Sequence, residues 1–168
     1  MNIRAEQRAD IQAVRCVHEA AFPTHDEAQL VDRLRDTGHA AISLVAEMDG
    51  NVVGHILFSP VTINGKHIGK GVGLAPLAVL PAFQKRGMGA ALVNAGLDAC
   101  RAGGHGFVVV LGNPKYYQRF GFGFADRLNL TSLYEAEYFM ALLLRPDALL
   151  SLGGLVRYAP PFDELGAT

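Results

Sequence analysis

Apolar positions along the chain change their period several times, and each change marks an element. Residues 2–7 read as a short strand, after which Ile11, Val14, Val17 and Ala21 recur at helical spacing until Pro23 stops the run. Leu30, Val31 and Leu34 form a second helical stripe that ends at Gly38. Thr24 and Glu27 stand before that stripe in the arrangement of a capping box. Two helices joined by a short loop are therefore expected after the first strand.

The pattern then turns to β-branched runs. "AISLVAEM" and "NVVGHILFSPVTI" are separated by Asp49-Gly50, and Asn64-Gly65 is a strong hairpin signal. An antiparallel meander follows, closed by a strand over residues 71–80. Pro76 in that strand lacks the N–H of a regular ladder position, so a bulge or a parting of strands is expected there. Leu92, Val93, Gly96, Leu97 and Cys100 share one helical face, and Gly103-Gly104 ends that helix. "FVVVLG" is apolar throughout, which suits a central strand reached by a helical crossover and parallel to the strand at residues 71–80. "NPKYYQRFGF" leaves room only for a short helix before Gly121. "EYFMALLL" reads as a further strand, "DALLSL" as a brief helix, and the Pro-rich polar tail from Pro160 as loosely ordered. These elements predict an α+β fold, a mixed and mostly antiparallel sheet of about seven strands flanked by helices.

Composition narrows the class without changing this picture. A chain of 168 residues, half of them apolar, has the size of one domain and can bury a substantial core. Its formal charge is −1, with Lys and Arg scattered, which argues against nucleic acid and for a small-molecule or peptide partner. The N-terminal residues lack the apolar core of a signal peptide, and no stretch reaches the about 18 apolar residues of a membrane span, so a cytoplasmic protein is expected. Cys16 and Cys100 fall on the apolar sides of expected helices and read as buried thiols. Neither stands at metal-ligand spacing, and no metal site is expected.

The chemistry gathers in "VLPAFQKRGMGAAL", residues 79–92. A dinucleotide fingerprint needs a small residue where Leu92 stands, and a triphosphate loop needs a Gly-Lys followed by Ser or Thr, which neither Gly65-Lys66 nor Gly69-Lys70 provides. What remains is a strand, a loop and a helix start whose free backbone N–H groups and small residues suit a pyrophosphate.

The string "PLAVLPAFQKRGMGAALV" resembles motif A of the GNAT N-acetyltransferase superfamily, with Gln84, Gly87 and Gly89 at the motif positions. "YYQRFGF" is similar to that family's Tyr-x-x-x-Gly-Phe, and the order of elements agrees over residues 2–145, leaving residues 146–168 as a C-terminal extension. "FSPV", "APLAV" and the Tyr-Tyr segment resemble a bacterial branch of small acetyltransferases. The resemblance implies acetyl-CoA as donor and a sheet splayed between the strand at 71–80 and the next one. Its pyrophosphate would rest on Gln84, Lys85, Arg86, Gly87, Met88, Gly89 and Ala90. Its pantetheine arm would lie along Leu77, Ala78 and Val79.

By the same resemblance, the backbone N–H of Val79 or its neighbour stabilises the oxyanion, and Tyr117 protonates the leaving thiolate, with Tyr116 as the adjacent alternative. Asn113 either bonds the pantetheine amides or forms a turn. An amine acceptor also needs a base, because its ammonium has a pKa near ~10. Many relatives carry a carboxylate on the strand that here spans residues 71–80, whereas residues 68–80 contain no Asp or Glu. His25 and Glu27, in the loop joining the two N-terminal helices, are candidates for the acceptor side, while Glu27 has its capping-box explanation as well. His55 and Glu47 on the central strands, Glu137, and Arg157 with Tyr158 remain unranked. The missing carboxylate also admits an acyl-CoA-binding sensor without turnover. The assembly expected is a monomer or homodimer.

Overall fold

Helix α1 occupies Ile11–Ala21, the span its apolar spacing predicts, and buries Val14 and Val17. The computed structural model describes residues 1–149 and 153–165. Strand β1 is Asn2–Ala5, α2 is Asp26–Asp36, β2 is Ile42–Met48 and β3 is Asn51–Pro60. After the two-residue β4, Thr62–Ile63, come β5 (Val72–Val79), α3 (Met88–Ala102), β6 (Phe107–Leu111) and α4 (Pro114–Gln118). The remaining strands are β7 (Gly123–Phe124), β8 (Leu130–Thr131), β9 (Phe139–Leu143) and β10 (Gly154–Arg157).

Seven strands form the main sheet in the order β1-β2-β3-β5-β6-β9-β7. Among the described residues of this sheet only β5 and β6 pair in parallel, as expected of a pair joined through α3. Helix α3 covers one face, where Leu92, Val93, Leu97 and Cys100 pack with Ile56 and Phe58. Gly96 permits this contact, since a Cβ there would come within 2.4 Å of the Phe58 ring. The two N-terminal helices cover the other face through Val14, Leu30, Val31 and Leu34 against Leu57. On β6, Val108 and Val110 join the core under α3 while Phe107 and Val109 join a separate core with Ile63, Leu130 and Val156, and burial of both faces explains its unbroken apolar run.

Two irregularities place the site. Phe58 pairs with Leu74 and Ile56 with Leu77, so Ala75 and Pro76 together oppose the single residue Leu57. This is the expected bulge, and the Ala75–Pro76 peptide within it is cis. In addition, β5 meets β6 only at Val72↔Val108 and Gly73↔Val109. Beyond Gly73 the two strands part.

Asn64 and Gly65 do form a two-residue turn, with φ of 50° and 82° and reciprocal bonds between Ile63 and Lys66 of 2.8 and 3.1 Å. Its arms, however, leave the main sheet. Strand β4 pairs with β10, which in turn pairs with β8, making a second sheet over a core of Val61, Ile63, Phe107, Val109, Leu130 and Val156. Asp147, Ala148 and Leu149 form a turn where a helix was expected; the rest of that stretch, residues 150–152, lies outside the described residues. The tail is also more ordered than its composition suggests. Pro160–Glu164 is a 3-10 turn with Pro161 and Phe162 buried, tied to α2 by Arg33–Glu164 at 3.0 Å. Phe162 supplies apolar area that offsets the cost of ordering.

Cys100 is buried as expected, but Cys16 is exposed. At about 100° per residue, Cys16 lies roughly 200° around the helix from Val14, away from the sheet.

A polar chain runs beneath the N-terminal helices. His18 Nε2 and His55 Nδ1 are 2.8 Å apart, and His55 Nε2 lies 2.7 Å from Ser43 Oγ. Ser43 donates to Glu6 at 2.8 Å, and Glu6 pairs with Arg35 at 2.7 Å. Both imidazoles are fully buried. Burial pushes the His18 pKa down to about 4 and that of His55 well below its ordinary 6.5. Among the described residues, no helix is long and apolar enough to cross a membrane, and no group of three His, Cys, Asp or Glu could hold a metal ion.

Candidate active site

The parting of β5 from β6 leaves one edge of β5 without a neighbour. Leu80 donates its N–H to Val53 of β3 at 2.8 Å. Because backbone groups alternate along a strand, the N–H and C=O of Val79 point the other way, into the opening, as do those of Leu77. Ala78 is turned toward β3. Gln84 Nε2 donates to the Val79 carbonyl at 2.9 Å, which leaves the Val79 N–H as the polar group available at that position.

Past β5 the chain makes a 3-10 turn at Pro81–Phe83, then a short loop into α3. Gln84 spends its N–H on Pro81 at 3.3 Å, so it is not one of the open amides; its contribution is the side-chain bond to Val79. The first backbone bond of α3 runs from Ala91 N–H to Gly87 O at 3.0 Å. Among the described residues, Lys85, Arg86, Gly87, Met88, Gly89 and Ala90 therefore leave six amides without a backbone acceptor at the positive end of a helix. The loop reaches this shape through left-handed residues, Lys85 at φ 62° and Gly87 at φ 82°. Met88 turns its side chain into the core, and Lys85 and Arg86 are exposed.

The adjacent tyrosines on α4 face different surroundings. A Cβ on Gly89 would stand 3.0 Å from Tyr116 Oη, so Tyr116 sits against the N-terminus of α3. Tyr117 packs its ring on the bare Cα of Gly112 and lines a cavity of about 380 Å³ at the mouth of the splayed strands. Burial pushes the Tyr117 phenol up to about 12, with Tyr116 adding to the shift. Asn113 caps α4, its Oδ1 accepting from the Lys115 N–H at 2.9 Å.

Leu74, Ala75, Pro76 and Leu77 form the β5 wall of the cavity, and Phe22, Glu27 and Leu30 the wall from the N-terminal helices. Glu27 does not close a capping box. His25 is the N-cap of α2 and makes no side-chain cap bond, while Thr24 Oγ1 accepts from Asp26 instead at 3.3 Å. Glu27 Oε2 is left buried without a hydrogen-bond partner among the described residues. His25 lies outside the cavity, its side chain 73% exposed and 3.8 Å from Glu19. Glu47 pairs with Arg4 at 2.9 Å on the β1 side of the sheet, His55 is sealed into the polar chain, and Glu137 and Arg157 are exposed.

Tyr134, Tyr158, Phe162 and Leu165 complete the cavity. Tyr158 Oη is buried and unpartnered, and its ring lies over Gly73, where a Cβ would meet it at 2.3 Å. The sequence marks Tyr158 as an unranked candidate and gives no such mark to Tyr134 and Phe162. The signal for the latter pair was weak, because both lie in short irregular segments with no period to read.

The acetyltransferase (GNAT) domain profile matches residues 2–125. The chain is 37% identical over 167 residues to the N-acetyltransferase YhbS of Escherichia coli, covering 98% of this chain and 99% of that one. The chain belongs to the GNAT acetyltransferase family. A crystal structure of Escherichia coli YhbS in complex with CoA superimposes with a TM-score of 0.93 at 36% identity, covering 98% of this chain and 93% of that one. A GNAT family acetyltransferase of Brucella melitensis in complex with acetyl-CoA gives 0.82 at 40% identity, covering 96% and 97%. In this GNAT N-acetyltransferase the glycine loop and the tyrosine segment thus both lie where β5 and β6 part.

Proposed function

We propose that the protein transfers the acetyl group of acetyl-CoA to an amine by direct attack while both are bound. One observation carries this reading: the wedge between β5 and β6 has six open amides on one side and on the other a cavity holding Tyr117 and Glu27. The amides from Lys85 to Ala90 would hold the pyrophosphate, with Lys85 and Arg86 adding only a screened surface attraction. The pantetheine arm would lie against the open edge of β5 at Leu77 and Val79, its amides bonding the strand as an added strand does. Asn113, with Oδ1 committed to its cap, retains its amide N–H groups for the same arm.

The acceptor enters as an ammonium, and the Glu27 carboxylate takes one proton from it. The freed amine nitrogen attacks the thioester carbon, the carbonyl oxygen becomes an oxyanion, and the Val79 N–H supports that charge. Collapse breaks the C–S bond and leaves an N-protonated amide, whose second proton passes to solvent. Tyr117 donates its proton to the departing sulfur and is reprotonated from solvent, and Glu27 passes its proton to solvent, so the net products are the acetamide, CoA thiol and one proton.

Calorimetry is expected to show saturable acetyl-CoA binding, and a thiol assay CoA release that depends on added amine; no heat at millimolar acetyl-CoA would overturn the proposal. The absence of a carboxylate from residues 68–80 favours the alternative of a CoA-binding module without turnover, which any amine-dependent thiol release would exclude.

Gly87 supplies a separate check. A Cβ there meets nothing within 4 Å, so Gly87→Val acts through the left-handed φ of 82°, which costs a β-branched residue enough to reshape the loop. Acetyl-CoA affinity is expected to fall by about tenfold, read by the same calorimetry; unchanged affinity would place the phosphates elsewhere.

A further inference from the structure

We infer that the acceptor is a primary monoamine with an apolar, aromatic body, held by its ammonium on Glu27. This rests on the acetyl-transfer reading above and names the class of its second substrate. Glu27 Oε2 is buried without a partner, and a carboxylate oxygen so placed costs free energy until a donor reaches it. Among the described residues no Lys, Arg or His lines the cavity, so its wall offers no cation to Glu27 and no charged partner to the carboxylate or phosphate of an acidic acceptor. An ammonium supplies both the donor and the charge.

The rest of the wall selects the body. Tyr134 and Tyr158 meet edge to face with centroids 6.0 Å apart, and Tyr158 and Phe162 lie at 4.9 Å. With Phe22 and Leu30 they offer an aromatic and aliphatic surface suited to a ring. The mouth is apolar too: Leu111, Tyr134 and Leu165 line the cavity while remaining 41%, 43% and 38% exposed. A second charge on the acceptor would have to shed its water against a wall whose other described polar side chains are the uncharged phenols of Tyr117, Tyr134 and Tyr158, with no second carboxylate, which counts against polyamines. The 3-10 turn at Pro160–Glu164, tied to α2 through Arg33–Glu164, borders the cavity through Phe162, and a volume of about 380 Å³ is that of a small-molecule site.

The test uses the full chain loaded with CoA, which cannot react. CoA is titrated first by calorimetry, followed by 2-phenylethylamine, 2-phenylethanol, spermidine, glutamate and a short peptide. Phenylethylamine is expected to bind at least about tenfold more tightly than each of the others. Glu27→Gln is expected to remove its advantage over phenylethanol while leaving CoA affinity unchanged, which also reports that the variant is folded. Preference for spermidine, glutamate or the peptide, or no preference for the amine over the alcohol, would overturn the acceptor class while the donor reading stands. Failure of CoA itself to bind would overturn both.

Discussion

Tyr117→Phe is expected to lower kcat by about 10² or more while leaving acetyl-CoA affinity nearly unchanged. The substitution removes only a hydroxyl from a ring that packs on Gly112, so the wall keeps its shape and the loss falls on the proton. A phenol pushed up to about 12 remains protonated at neutral pH and is always a donor. It is a weak acid toward an ordinary thiolate, whose conjugate acid has a pKa of about 8.5. The same kind of surrounding raises thiols as well: burial in this chain pushes Cys100 up to about 12. A thiolate expelled against the same buried ring would lose water too, which raises its basicity in the same direction and favours the transfer. Steady-state kinetics with acetyl-CoA and the preferred amine check the effect, with calorimetry as the control on binding. Unchanged kcat would move the proton to water; Tyr116, whose hydroxyl sits beside Gly89, is poorly placed to replace it.

Acidification is expected to destabilise the fold well above the range in which carboxylates titrate. In the unfolded chain His18 takes a proton near its ordinary 6.5, whereas in the folded state burial holds it neutral down to about 4. Between those values the unfolded state binds more protons, so stability is complete above pH 6.5 and declines as the pH falls toward 4. At about 1.4 kcal/mol per pH unit, His18 alone would account for about 3 kcal/mol across that window. His55 shifts the same way, for the same cause and because His18 beside it resists a second charge. The bonded pair thus acts as an acid-sensitive joint between α1 and β3. Asp10 and Glu47, both lowered by hydrogen bonds from Arg4, begin to matter only below their ordinary 3.8 and 4.5. The chain has no Trp, so urea unfolding followed by circular dichroism is the suitable measurement. A midpoint that falls steadily below pH 6.5, with a flatter profile in His18→Leu/His55→Leu, is the expected result. A flat profile down to pH 5 would mean that the pair is charged in the folded protein.

Long elements were legible because each shows several periods of its pattern. The stripe of Ile11, Val14, Val17 and Ala21 ends where α1 ends, and the apolar run at residues 107–111 is the strand buried on both faces. Pro76 announced the bulge through a missing N–H alone. Short elements were not legible: β4 and β8 have two residues each, too few to show alternation, and their partner β10 is remote in the chain. Glu27 marks the limit from another side. A Thr-x-x-Glu spacing is the same whether or not the box closes, and only the start of α2 at Asp26 frees the carboxylate for the cavity.

From the sequence alone came what depends on neighbours along the chain: the main helices and strands, the parallel crossover, the glycine loop at a helix start, and the family those features resemble. Tertiary structure decided which side chains meet. It brought Glu27 from one end of the chain and Tyr158 and Phe162 from the other to the gap left by β5 and β6. It turned His25 to solvent and closed His18 and His55 into a bonded pair. The physical reason is that local conformation follows from backbone sterics and short-range hydrogen bonds, whereas burial, the loss of water from a carboxylate and the pairing of two imidazoles exist only once distant segments pack together.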